Sequence, residues 1–205
     1  MQNPYQVVRD FENTIADYCG SKFAVAVESG TAALFLSLMY KQPIGMVELP
    51  KRTYPSVPMS VIHAGGTIKW TDKKWKGEYE LGNTGIWDSA LRFKKGMYHG
   101  GFQCLSFHVK KHLPIGRGGM ILTDNPNAYT WLRKARFDGR DEVPLEDFRN
   151  PILGWNMYMT PEQAVRGMML FNTIKNKKLI DMDMNKQGYP DLSKFAIFKP
   201  ELLKD

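Results

Sequence analysis

Apolar positions in this chain recur first at helical spacing and then in short unbroken runs. Val8, Phe11, Ile15 and Tyr18 fall on one helical face, which predicts a helix over residues 5–18 that Gly20 stops. Residues 23–27, Phe-Ala-Val-Ala-Val, read as a short buried strand. Helical spacing returns over residues 31–40, with Leu34, Phe35 and Leu38 inward. Residues 46–49 predict a second strand. Pro55 then leads into a helix reaching His63, and Gly65-Gly66 turns the chain into a third strand over residues 67–71. Strands alternating with helices at this spacing predict βαβ units and a mainly parallel sheet.

After Asp72 the pattern lapses. Residues 73–83 are polar without periodicity and read as a loop. A strand ends at Ile86-Trp87, and two more are predicted over residues 102–107 and 120–123. Asn125-Pro126 is an N-cap and first-turn pair for a helix through Arg136. Residues 137–150 are charged and contain Gly139 and Pro144, so an exposed loop is expected. Thr160-Pro161-Glu162-Gln163 is a capping box with proline at the first helical position, opening a helix to about residue 180. From Gln187 the chain carries Pro190 and Pro200 and is expected to pack irregularly. The expected division is one domain over residues 1–183 and a short tail over 184–205.

Composition narrows the classes only a little. A chain of 205 residues can form one good core, and two full domains would be cramped. Hydrophobic content of 43% and charged content of 24% are ordinary for a globular protein. No apolar run approaches membrane-spanning length, and the polar start Met1-Gln2-Asn3-Pro4 does not read as a secretory signal. Cys19 and Cys104 lie far apart in no Cys-x-x-Cys pattern, which points to a reducing cytoplasm rather than a disulfide framework. A net charge of +7 suits nucleic acid or, equally, an anionic small substrate. The basic residues are spread, and the densest group, Lys175-Asn176-Lys177-Lys178, sits at a helix end where cations are expected anyway.

Three segments carry candidate chemistry. At Ser29-Gly30-Thr31-Ala32-Ala33 a strand gives way to a helix, so free N–H groups and the helix dipole converge where a phosphate could bind. Taken alone, this segment is read more simply as a plain Ser/Thr-capped helix. Asp88 ends an apolar strand, where a carboxylate is partly desolvated and needs a cation; an N-cap for a helix through Phe93 is the alternative. Lys111 pairs with Lys110 in Ser106-Phe107-His108-Val109-Lys110-Lys111-His112. A desolvated lysine can form a Schiff base with an aldehyde, whereas two solvated surface lysines are the commoner case. Glycines 116, 118 and 119 argue for a tight turn or a close backbone approach. His108 and His112 have a spacing that could share zinc, but Pro114 and the glycines work against the helix this needs. A phosphate cradle, an acid for a ring nitrogen and an amine for an aldehyde together are what pyridoxal phosphate requires of a protein.

In their order along the chain these segments resemble the DegT/DnrJ/StrS group of pyridoxal-phosphate-dependent sugar aminotransferases, a branch of fold-type I. The matching motifs are Ser29–Leu34, Thr53-Tyr54, Ala64-Gly65-Gly66 before Trp70-Thr71-Asp72, Asp88-Ser89-Ala90, Ser106–Lys111 with Gly118-Gly119, and Gly154-Trp155-Asn156-Met157-Tyr158-Met159. The similarity runs from about Phe11 to Leu170. It implies an α/β fold: a fold-type I large domain over residues 1–183, with a mainly parallel central sheet flanked by helices and the C-terminal small domain largely absent. By the same resemblance Thr31, Ala32 and Ser106 hold the cofactor phosphate, Tyr54 stacks on the pyridine ring, and Asp88 pairs with its nitrogen. Lys111, rather than Lys110, forms the Schiff base. Asn156 reaches the phosphate of a neighbouring subunit, which implies a homodimer with shared active sites. The implied reaction moves an amino group from a donor such as glutamate to a nucleotide-linked keto-sugar, in the cytoplasm, with no nucleic-acid or membrane partner.

Departures from the pattern point to one rival reading, and the net charge of +7 to a second. The family usually places glutamine or histidine three residues after the aspartate, near the cofactor's ring hydroxyl. Leu91 stands there and has no hydrogen-bonding group. A further strand–helix unit normally lies between positions equivalent to Asp72 and Asp88, and a C-terminal domain that helps enclose substrate normally follows; neither is expected here. A cofactor-binding protein with little turnover is therefore one rival, and a basic nucleic-acid-binding module is the other.

Overall fold

In the computed structural model, which describes residues 3–199, β1 (Phe23–Val27) is buried along almost its whole length. Its alternation explains the layers. Val25 and Val27 join one apolar cluster with α2 (Gly30–Tyr40), while Ala24 and Ala26 join another with Phe11 and Ile15 of α1 (Gln6–Cys19). Helices thus cover both faces of the strand, as a continuous apolar run requires. The remaining elements are β2 (Met46–Pro50), α3 (Ser56–His63), β3 (Thr67–Thr71), β4 (Tyr79–Glu80), β5 (Ile86–Asp88), β6 (Phe102–Ser106), β7 (Gly119–Thr123), α4 (Pro126–Ala135) and α5 (Pro161–Ile174). Ser29 caps α2 by accepting the Ala32 N–H, Asn125 caps α4, and Thr160 with Gln163 forms the expected capping box on α5.

The main sheet runs in the order β1-β7-β6-β5-β4, and β2 pairs separately with β3. The mixed α/β class is as expected, but the mainly parallel pairing needs correction. Strands β1, β5 and β6 do share a direction. However, β7 is inserted antiparallel between β1 and β6, and β4 returns antiparallel along β5, so β5–β6 is the one parallel pairing in this sheet. The cause is local. Parallel neighbours need a crossover of about a dozen or more residues, and the turn between β4 and β5 is far shorter than that.

Three further expectations shift. Residues 73–83 are not all loop, because Tyr79 and Glu80 pair with Asp88 and Trp87. The last long helix stops at Ile174 rather than near 180, where its apolar positions give way to the lysine-rich run. The stretch 137–150 is mostly exposed, but it delivers Glu142 into the interior. There Arg136 (2.8 Å), Arg133 (3.0 Å) and Arg9 (3.1 Å) surround it, and Arg136 also pairs with buried Glu12. Burial alone would raise the Glu142 carboxyl, but Arg136 and Arg133 outweigh it and hold the group low.

The pair β2–β3 adjoins the rest at a seam where the Gly82 N–H of the β4–β5 turn donates to the Glu48 carbonyl at 3.0 Å, and Val47 and Leu49 join the apolar cluster of α2 and Ile86. Residues 184–199 form short 3₁₀ turns rather than a helix or strand. Both cysteines are free and buried, and no helix among the described residues is long and apolar enough to cross a membrane.

Candidate active site

Because β1, β5 and β6 run the same way, their carboxyl ends share one edge of the sheet, and Gly119 at the start of β7 faces both Val27 and Ser106 there. The approach is too close for a side chain. A Cβ on Gly30 would stand 2.9 Å from that of Ser106, and one on Gly119 would collide with the Ser29 carbonyl. The start of α2 is thus held against Ser106 and the lysine-bearing loop, whose arms meet in a bridge between His108 and Gly116.

A cleft of about 640 Å³ opens at this edge, lined by Thr31, Tyr54, Asp88, Ser106 and Lys111 among others. The sequence spread these five residues over eighty positions; the fold brings them together. Asp88 is only 4% exposed. Its carboxylate accepts the Ala90 N–H at 3.0 Å and forms no ion pair among the described residues. Burial pushes its pKa up, against the pull of the Ala90 N–H, of Lys111 and of the Tyr79 hydroxyl. For Lys111 burial acts in the other direction and lowers the pKa, with Asp88 partly opposing it. Lys110 alongside is exposed, so the two lysines differ in burial. The cleft therefore holds a buried carboxylate lacking a cation and an amine with a weakened hold on its proton.

The start of α2 adds an anion-binding feature. The first N–H groups of a helix have no partner within it, and Gly30 and Thr31 line the cleft. The Thr31 hydroxyl lies 2.7 Å from that of Ser56. Lys110 and Arg117 also line the cleft, Arg117 being paired with Glu28 at 2.7 Å.

Two sequence candidates lie elsewhere. Ala32 gives its N–H to the Ser29 hydroxyl at 3.0 Å, and with Trp155 and Phe35 it lines a smaller neighbouring cavity of about 220 Å³. Asn156 is exposed and donates to the Asp138 carboxylate at 3.2 Å, outside this chain's own cleft. Leu91 is fully buried among apolar side chains, and Ala90 is what that segment presents to the cleft. No helix starts at Asp88, so the capping alternative fails. His112 is spent on the Ile180 carbonyl at 2.8 Å.

Sequence reasoning missed part of the site. Tyr79 opposes Asp88 across β4–β5, and its hydroxyl lies 2.6 Å from that of buried Thr53, tying Asp88 to the segment carrying Tyr54. Behind them Glu78 accepts from Ser89 at 2.7 Å and Gln103 at 2.9 Å, and pairs with Arg92 and His99. Trp75, Gln187 and Tyr189 complete the lining. The available signal was a cluster of aromatics within otherwise polar stretches.

The family model described as the DegT/DnrJ/EryC1/StrS aminotransferase family matches residues 1–76 and 93–178. The chain belongs to that family. The matched stretches contain Thr31, Ala32, Tyr54, Ser106, Lys111 and Asn156, and they skip Asp88. A GDP-perosamine synthase of Caulobacter vibrioides is 28% identical over an alignment of 204 positions, taking in 78% of this chain and 54% of that protein. Among solved structures, AtS13 from Actinomadura melliaura superposes with a TM-score of 0.70 at 19% identity, covering 82% of this chain and 60% of its own. DesI, solved in the presence of its TDP-sugar product, gives a TM-score of 0.67 at 20% identity, with 82% and 53% covered. The chain thus spans about half the length of the C. vibrioides relative. The structural likenesses identify the fold.

Proposed function

We propose that this member of the DegT/DnrJ/EryC1/StrS aminotransferase family binds pyridoxal phosphate in the cleft between Lys111 and Asp88. With it the protein would move an amino group from a donor such as glutamate to a nucleotide-linked keto-sugar. The observation that carries the reading is Asp88, a buried carboxylate without a cation, facing a cleft that also contains a desolvated lysine. A protonated pyridine nitrogen supplies the missing charge, and an aldehyde suits the amine. Both needs are met by one small molecule.

Pyridoxal phosphate, when bound, supplies an electron sink for bonds at the carbon bearing the amine. The chain's residues do the rest. Asp88 keeps the ring nitrogen protonated. Tyr54, in the same lining, offers a ring face. The start of α2 with Thr31 and Ser106 accepts the phosphate. Lys111 would hold the aldehyde end of the group through its amine, and its lowered pKa suits it to take up and return a proton in the cleft. Lys110, Arg117 and the net charge of +7 favour an anionic, diphosphate-bearing sugar. The GDP-perosamine synthase and the TDP-sugar complex of DesI lend support to that class. Asn156, exposed and away from its own cleft, fits a role in a partner's site within a homodimer.

Borohydride reduction of protein incubated with pyridoxal phosphate, followed by peptide mapping, tests the attachment: a pyridoxyl label on Lys111 is expected, and a label elsewhere or none overturns it. Adding glutamate to the coloured protein should remove the visible band. Persistence of that band would leave a cofactor-binding protein without turnover.

A further inference from the structure

One wall of the cleft comes from a part of the chain that the family match does not reach. Residues after 178 lie outside the matched stretches, yet Gln187 and Tyr189 line the cleft beside Trp75 and Asp88. This segment is anchored. The Leu192 N–H donates to the Lys51 carbonyl at 2.8 Å, and Arg52 donates to the Tyr189 carbonyl at 3.0 Å. The Tyr189 ring lies nearly parallel to the Trp75 indole, at 14° with centroids 6.2 Å apart, and stands at 70° to Tyr54 at 6.5 Å. Trp75 is fixed in turn by its indole N–H, which donates to the Arg52 carbonyl at 3.0 Å.

Such anchoring leaves one group unused. The Tyr189 hydroxyl makes no hydrogen bond among the described residues, although its residue lines the cleft. Burial first, and the Asp88 charge second, raise its pKa, so the phenol keeps its proton and can act only as a neutral donor or acceptor. Gln187 is less available, since its amide already donates to the Asp183 carbonyl at 3.3 Å. A cleft of about 640 Å³ leaves room for a bound aromatic ring with Tyr189 in place.

We infer that Tyr189 is a positioning residue of this site: its hydroxyl donates a hydrogen bond to a polar substituent of the ring that Asp88 receives, so the segment after α5 completes the pocket. The inference rests on the cofactor assignment above. It makes the tail part of the site's chemistry, where packing alone would ask only for an aromatic ring at this position.

The test separates the two. Pyridoxal phosphate is titrated into wild-type protein, Tyr189→Phe and Tyr189→Leu, following the visible band of the lysine-bound cofactor and the pH at which that band changes form. Tyr189→Phe keeps the stack on Trp75 and removes only the hydroxyl. Its dissociation constant should rise about fivefold, the size of one hydrogen bond, and the pH midpoint of the band should move. Melting of the cofactor-free protein should stay unchanged. Tyr189→Leu should bind more weakly still. Wild-type affinity and an unmoved midpoint in Tyr189→Phe would overturn the hydroxyl's role. Tighter binding by either variant would also overturn it, by showing that the side chain competes for the ring's place. If wild-type protein neither colours nor labels Lys111, the cofactor assignment fails first and the inference falls with it.

Discussion

Around β1, β6 and β7 the strands are packed between apolar clusters on both faces, whereas β4 is a two-residue strand at the sheet's end and β2–β3 pairs apart from that sheet, sharing only the cluster on the α2 side through Val47 and Leu49. The end of the cleft at Thr31 and Ser106 belongs to the first region, and the end at Tyr54, Trp75 and Tyr189 to the second. In the first, glycines at 30 and 119 let regular elements touch, so backbone alone sets the geometry. In the second, position comes from side-chain contacts: Tyr79 to Thr53, Glu78 to its four partners, and Trp75 to Tyr189. Regular structure holds the part of the site that needs N–H groups. Irregular structure holds the part that needs a carboxylate and aromatic faces.

The sharpest way to break this contrast is to damage the covered region. Replacing Arg136 with methionine leaves Glu12 and Glu142 without their main buried cation and should cost about 3–5 kcal/mol in urea denaturation. A loss under about 1 kcal/mol would mean that the arginines at 9 and 133 suffice.

Next in size is the seam. Gly82 has φ 57 and touches the Glu48 backbone, so Gly82→Ala should cost about 1–2 kcal/mol. Hydrogen exchange should show the loss concentrated in β2 and β3. Loss spread evenly over β1 and β7 would mean that the two regions unfold together.

Thr160→Ala removes half of the capping box on α5 and should lower stability by about 1 kcal/mol, leaving cofactor binding untouched because that helix supplies no lining residue.

The smallest effect carries a sign. The Asp88 pKa is raised in the folded protein, so the folded state holds a proton where the unfolded chain has lost it, and Asp88 costs stability as pH rises out of the ordinary carboxylate range. Cofactor-free Asp88→Asn should match wild type in acid and become the more stable of the two as pH rises, while binding the cofactor more weakly. A difference that shrinks with rising pH would contradict the assigned burial.

What the sequence made legible follows the same divide. Strands 23–27 and 67–71 matched residue for residue because apolar runs and glycine punctuation are local signals. Thr31, Asp88, Ser106 and Lys111 converge because they lie at or just past the carboxyl ends of β1, β5 and β6, and Tyr54 joins them from the segment after β2. Ala32 gives its N–H to the cap of its own helix, a local use that the motif alone does not reveal. Tyr79 and Tyr189 stayed hidden: each acts through a partner more than twenty positions away, and no periodicity records such pairings. Glu142 was hidden likewise, its burial being set by arginines from two helices rather than by its polar neighbours.

The anchoring of Leu192 on the Lys51 carbonyl bears on when the pocket becomes usable during synthesis. A nascent chain can pack α1 to α5 around the covered strands once residue 174 has cleared the ribosome. Tyr189 emerges only afterwards, so ligand added to a chain stalled just before it would meet a pocket in which Trp75 and Tyr54 lack their aromatic neighbour.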